Sequence, residues 1–196
     1  MNVPNQLTVS RFALTLAFLV AVFVDFRWHE TVSLLLFSAA SLTDYFDGRI
    51  ARRDKLITNF GILMDPLADK ILVCSAFIAF VGLGWMAAWM AVIVVARELA
   101  ITGLRLLAAS KNLVLAAERF GKHKTISQIV AILAILVRHC YGETGPAGQF
   151  IFGFDVLGKP WVEWFAPISL WVAVILTLAS GLSYLWRNRA LYLSDL

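Results

Sequence analysis

Charge is scarce in this sequence. Acidic and basic side chains make up 15% of its 196 residues, where a soluble domain carries about 25%. That shortage argues against a chain that wraps its core in a charged shell. Hydrophobic residues reach 60%, against about 45–50% in an ordinary globular domain. A chain of one-domain length cannot bury so much apolar surface in its own core, so a bilayer is the expected solvent. Cysteine is nearly absent too. Cys74 and Cys140 stand far apart with no CxxC or Cys/His spacing, which leaves no sign of a zinc site or a disulfide framework and reads most simply as two buried thiols. His29, His123 and His139 have no metal spacing either and are taken as incidental. Residues 1–10 hold no lysine or arginine, and no small-residue cleavage site follows the first apolar run; that run is expected to be a retained helix. There is no internal repeat and no low-complexity tract.

What the chain does have is apolar runs of spanning length. About 20 apolar residues cross a bilayer as a helix, and six segments qualify: residues 7–24, 31–53, 60–81, 85–109, 121–137 and 161–186. The last is long enough to tilt. Seven Trp and fourteen Phe suit interface belts and lipid-facing surfaces. Residues 141–160, with their Gly, Pro and aromatics, read as a long loop resting on the interface. Lysine and arginine gather after the second segment (Arg52, Arg53, Lys55), after the fourth (Lys111, Arg119, Lys122, Lys124) and in the tail (Arg187, Arg189). The positive-inside rule then places both termini in the cytoplasm. The expected fold is an all-α integral membrane protein, one domain over residues 1–196, with six transmembrane helices.

The second segment starts apolar and then changes character at Asp44, Asp47, Gly48, Arg49 and Arg52; the third opens with Gly61, Asp65, Asp69 and Lys70 before turning apolar. Asp44 and Asp47 are i, i+3, and Asp65 and Asp69 are i, i+4, so each pair shares one helix face. An antiparallel hairpin turning near Leu56 sets Asp47 level with Asp65 and Asp44 level with Asp69. Four carboxylates at one depth in the inner half of a membrane are costly, on the order of 2.5–3.5 kcal/mol each by insertion scales, and they repel one another. Hard divalent cations remove both costs, and carboxylate oxygens suit Mg²⁺ or Mn²⁺. Two such ions about 3.5–4 Å apart clamp both sides of a phosphoryl displacement. Gly48 and Gly61 allow close approach of a phosphate to backbone, or simply close helix packing. The alternative for the aspartates is a set of salt bridges with Arg49, Arg52, Arg53 and Lys70, which does not require this register.

The pattern D-x2-D-G-x2-A-R-x8-G-x3-D-x3-D, filled by Asp44, Asp47, Gly48, Ala51, Arg52, Gly61, Asp65 and Asp69, resembles at every fixed position the signature of the CDP-alcohol phosphatidyltransferases. The resemblance implies a six-helix, homodimeric membrane fold with two divalent cations held by Asp44, Asp47, Asp65 and Asp69. It implies that Asp69 is the general base on the acceptor hydroxyl, and that Asp44, Gly48 and Arg52 lie by the CDP group of CDP-diacylglycerol. Asn5 and Thr8 are similar to family positions that contact the nucleotide; as polar residues just before the first helix they fit helix caps equally.

Softer pieces resemble the branch whose acceptor is glycerol 3-phosphate: Pro4, Asn5, Leu7, Thr8 and Arg11; Pro66, Ala68 and Lys70; Arg97 and Glu98 with Thr102 and Arg105; and Gly121, Lys122, Lys124, Thr125 and Gln128. The charges agree with that acceptor. Arg105, Lys122 and Lys124 cluster on the cytoplasmic side, where charge-assisted bonds would draw a phosphate-bearing alcohol. Anchoring to lipid headgroups is the other reading of these three, and Arg97 with Glu98 reads equally as a structural ion pair. The expected reaction moves a phosphatidyl group from CDP-diacylglycerol to glycerol 3-phosphate at the cytoplasmic face of the cell membrane, among membrane lipids and with no nucleic-acid partner. The same chemistry on inositol phosphate, serine or phosphatidylglycerol is the nearest rival. A cation transporter would have acids spread through the membrane depth, in repeated halves, and no repeat is present.

Overall fold

The computed structural model describes residues 3–54, 59–111, 113 and 120–193, with backbone alone for residues 3–8, 44–54, 59–66, 69, 120–122, 146–147 and 193. Six long helices stand where the six apolar segments were expected: α1 (Val3–Phe23), α2 (His29–Asp54), α3 (Asn59–Gly82), α4 (Ala88–Ser110), α5 (Phe120–Glu143) and, after a short helix, α7 (Trp161–Arg187). Among the described residues, His123–Glu143 and Trp161–Arg187 are long and apolar enough to cross a membrane, and Val9–Phe23 and Lys70–Gly82 are shorter apolar helices.

Helix α5 is the central post: α7, α2 and α3 all pack on it, while α1 lies against α2 and α3, and α4 against α3 and α7. Fully buried alanines (Ala40, Ala76, Ala131, Ala173) let these helices approach closely. Between them sit Phe18, Phe37, Phe77 and Phe80, each 0% exposed, with the Phe18 and Phe37 rings edge to face at 5.6 Å. Around the outside, Leu16, Leu35, Val92, Leu99, Leu106 and Ile175 are all exposed. Such an apolar exterior is costly in water and suits lipid.

Helix α3 ends in a Schellman motif. Gly84 takes φ 73°, its N–H donates to the Val81 carbonyl, and the Trp85 N–H donates back to Phe80 at 2.8 Å. Only a residue free of Cβ enters this conformation readily, and the chain reverses into α4 within a few residues.

The long loop expected over residues 141–160 is not a loop. Helix α5 continues to Glu143, α6 covers Gly145–Phe152, and β1 (Asp155–Val156) pairs antiparallel with β2 (Lys159–Pro160). Pro146 falls in the first turn of α6, where its missing N–H costs nothing. Leu157 and Gly158 both adopt positive φ, the pair of left-handed residues that a tight two-residue hairpin demands. Polar residues at the end of α5 conceal its helical continuation because their partners are distant in sequence. Arg138 pairs with Glu163 at 2.7 Å, His139 stacks on Trp85 with centroids 3.7 Å apart, and Glu143 accepts from the start of α2. The short helix α8 (Arg189–Leu193) follows α7. Cys140 is buried, Cys74 is half-buried, and both are free thiols.

Candidate active site

Asp44 and Asp47 lie in α2, and Asp65 and Asp69 in α3, with continuous helix through both pairs. The i, i+3 and i, i+4 spacings therefore act on real helices, and each pair occupies one face. The ends of these helices, at Asp54 and Asn59, flank the turn expected near Leu56, which itself lies outside the described residues. The side chains of Asp44, Asp47, Arg52, Asp65, Asp69 and Lys122, and the surroundings of Gly48, lie outside the described residues as well. As a donor set, four carboxylates on two helices offer only hard oxygen ligands and fit a divalent cation of the Mg²⁺ or Mn²⁺ kind. Among the described residues no group of three or more His, Cys, Asp or Glu side chains is placed to hold a metal.

Asn5 and Thr8 fall inside α1, which begins at Val3. They do not precede the first helix as expected, so neither caps its start. Pro4 explains the earlier beginning, since proline is favoured in a first helical turn.

Next to the aspartate turn of α3 runs a polar seam, buried at Glu98 and Lys124 and half-buried at Lys70 and Thr102. Glu98, Thr102 and Arg105 follow one another at i, i+4 and i+7 on α4 and so share a face. The Lys70 ammonium, one residue beyond Asp69, donates to the Thr102 hydroxyl, and that hydroxyl donates to the Glu98 carbonyl at 2.7 Å. The Lys124 ammonium of α5 lies on the Glu98 carboxylate, and Arg97 Nη1 approaches the same oxygen at 3.4 Å. Glu98 is 6% exposed and Lys124 4%. One turn along α5, Gln128 donates to the Thr177 hydroxyl of α7 at 2.9 Å.

Helices α3 and α4 are antiparallel neighbours. The register that pairs Lys70 with Thr102 sets Arg105 level with Leu67, between Asp65 and Asp69 along α3. Arg105 is exposed, and it lies close enough to Lys70 for their charges to interact. Of the three basic residues expected to meet an acceptor phosphate, Arg105 thus stands open beside the aspartate turn. Lys124 is instead enclosed against Glu98, and its ammonium has a partner inside the chain.

The stem of Arg97 crosses α7 at Gly181, where a Cβ would come within 2.8 Å of Arg97 Cγ. The Lys70–Thr102 and Gln128–Thr177 bonds were not foreseen. Their only signal was an isolated polar residue inside an apolar run, which says that a partner exists but not which one.

A family model described as CDP-alcohol phosphatidyltransferase matches residues 1–179. A protein of Bacillus subtilis (strain 168), named CDP-diacylglycerol–glycerol-3-phosphate 3-phosphatidyltransferase, is 38% identical over 199 aligned residues covering 95% of each chain. Proteins of the same name are 34% identical in Rickettsia bellii, covering 93% of each chain, and 35% identical in Salmonella typhimurium, covering 96% of this chain and 95% of that one. Two helices that carry the two halves of the aspartate signature, and similarity running through nearly the whole length, lead to one conclusion: this chain belongs to the CDP-alcohol phosphatidyltransferase family.

Proposed function

We propose that the protein transfers the phosphatidyl group of CDP-diacylglycerol to sn-glycerol 3-phosphate, giving phosphatidylglycerophosphate and CMP in anionic phospholipid synthesis. The observation that carries this reading is the full-length similarity to relatives named for that reaction. The placement of Arg105 level with the Asp65–Asp69 turn supports it, because a cation beside the base suits a phosphate-bearing acceptor.

In this reading the six long helices cross the cytoplasmic membrane with both termini inside, and the protein is a homodimer. Asp44, Asp47, Asp65 and Asp69 hold two divalent cations, Mg²⁺ or Mn²⁺, which when bound neutralise the pyrophosphate and the departing CMP oxygen. Gly48 leaves room for the nucleotide phosphates to approach α2, Arg52 offers them a charge, and Asn5 and Thr8 reach the CDP group from α1. Asp69 takes the proton of the acceptor C1 hydroxyl. The freed oxygen attacks the phosphorus that bears diacylglycerol in line, a new P–O bond forms, and the bond to CMP breaks with its electron pair leaving on CMP. Arg105 and Lys122 grip the phosphate of glycerol 3-phosphate. Lys124, already engaged by Glu98, supports that grip from behind.

Purified protein given CDP-diacylglycerol, labelled glycerol 3-phosphate and Mg²⁺ or Mn²⁺ should form phosphatidylglycerophosphate and CMP in equal amounts. Inositol phosphate, serine or phosphatidylglycerol offered instead should give no product; turnover with one of them and none with glycerol 3-phosphate would reassign the acceptor. Asp69→Asn should abolish turnover, and full activity in that variant would remove Asp69 from the role of base.

A further inference from the structure

We infer that Glu98 is a positioning residue for acceptor recognition: with Lys124 it forms a buried clamp between α4 and α5 that sets the spacing of the two cations meeting the acceptor phosphate. This inference rests on the proposed transfer to glycerol 3-phosphate and adds to it a residue that never touches substrate.

Glu98 and Lys124 are both almost wholly buried, and their charged ends are in contact. If Lys124 turned away to a ligand, the Glu98 carboxylate would lose its closest cation among the described residues and keep Arg97, at 3.4 Å, with the charge of Lys70 farther off. A buried carboxylate that loses its closest partner is strongly disfavoured, so Lys124 stays on Glu98 whether or not the acceptor is bound.

The clamp also has leverage. Glu98 lies two turns from Arg105 on the same face of α4, and Lys124 lies two residues beyond Lys122 on α5. Fixing Glu98 to Lys124 therefore fixes the helix segments that carry Arg105 and Lys122. The same turn of α4 reaches α3, because the Thr102 hydroxyl bonded to the Glu98 carbonyl receives Lys70, the neighbour of Asp69. One carboxylate and its turn of helix thus tie together the base-bearing helix and both phosphate-gripping helices. A displacement of about 1 Å at such a site can cost on the order of a hundredfold in rate.

Glu98→Gln separates the clamp from its rival, in which Lys124 itself binds the acceptor phosphate. The amide keeps the volume and loses the charge, which frees Lys124. A Lys124 that grips phosphate would then leave the KM for glycerol 3-phosphate unchanged or lower. The clamp predicts a rise of about tenfold, with the KM for CDP-diacylglycerol within about twofold of the parent. A charge exchange gives the second comparison. Glu98→Lys and Lys124→Glu should each lose at least about tenfold in kcat/KM for glycerol 3-phosphate, and the two together should recover most of it, because the pair re-forms between the same helices. If the exchanged pair is as poor as Lys124→Glu alone, Lys124 faces the phosphate and the clamp is wrong. If the variants melt at lower temperature while their folded fraction keeps the parent KM values, the pair is structural only and the inference also falls. Should the exchanged protein not accumulate, Glu98→Gln decides by itself. Parent protein inactive with glycerol 3-phosphate would overturn the functional reading instead, which keeps the two failures apart.

Discussion

Helix α2 is capped by a residue from far along the chain, and the energy of that cap is open to measurement. The Glu143 carboxylate at the end of α5 accepts from the backbone N–H groups of Glu30 and Thr31 at 3.1 and 2.9 Å and from the Thr31 hydroxyl at 2.9 Å. First-turn N–H groups have no partner within their own helix, so Glu143 supplies what a local Ser or Asp cap ordinarily would. Loss of an N-cap costs about 0.5–2 kcal/mol, and a hydrogen bond to a charged group contributes about 1.5–3 kcal/mol. With the Glu143 side chain 12% exposed, we expect Glu143→Ala to lose about 2–3 kcal/mol and Glu143→Gln, which keeps one acceptor oxygen, about 1 kcal/mol. For a chain of this length each kcal/mol moves Tm by about 2–4 °C, so Glu143→Ala should melt about 4–12 °C below the parent. The assay is thermal unfolding of the purified protein in detergent, followed by tryptophan fluorescence. Thr31→Ala in the same background should show a coupling of about 1 kcal/mol with Glu143→Ala. Asp44 lies thirteen residues, about 20 Å, along α2 from Thr31, so turnover well below Tm should stay near the parent value. A Glu143→Ala protein that melts within about 1 °C of the parent would refute the reasoning, since the distant carboxylate would then contribute nothing.

Phe18→Ala empties a fully enclosed site beside Phe37 and should cost about 3–5 kcal/mol, read as a fall in Tm; adding Phe37→Ala should cost less than the sum of the single changes. Gly181→Leu drives a side chain into the Arg97 stem and should lower Tm, whereas Gly103→Ala, inside α4 where an added Cβ meets nothing within 4 Å, should hold Tm or raise it by a few degrees, because alanine is the better helix former. Gln128→Leu strands the Thr177 hydroxyl at a cost of about 1–3 kcal/mol, and Thr177→Val in the same protein should recover part of that loss. Chelation with EDTA should abolish phosphatidyl transfer and excess Mg²⁺ or Mn²⁺ restore it; activity surviving exhaustive chelation would exclude the four aspartates as a metal site.

The six long helices could be read from the chain because apolar runs and the lengths they need are local properties. The α3–α4 reversal is local in the same way, signalled by Gly84. The reading failed over residues 141–160. Arg138, His139 and Glu143 look like loop residues until their partners Glu163, Trp85 and Thr31 are brought alongside, and Leu157 gives no hint that it adopts positive φ. At the start of the chain Asn5 and Thr8 looked like caps, but α1 begins ahead of them at Val3.

The candidate site divides along the same line. The aspartate pattern was legible because the helical repeat alone puts residues three and four apart on one face. The seam beside it was not, because spacing along one helix cannot say which helix is its neighbour. Lys124 shows the difference: by sequence it is one more cation in a basic cluster, and only the packing of α4 against α3, with α5 behind, encloses it against Glu98. Sequence alone determined the membrane class, the long helices and the acidic motif, since each depends on composition or on contacts within a few residues. Tertiary structure decided which cation is open to a ligand and which is spent on a buried partner, because burial and pairing arise only when helices distant in sequence meet.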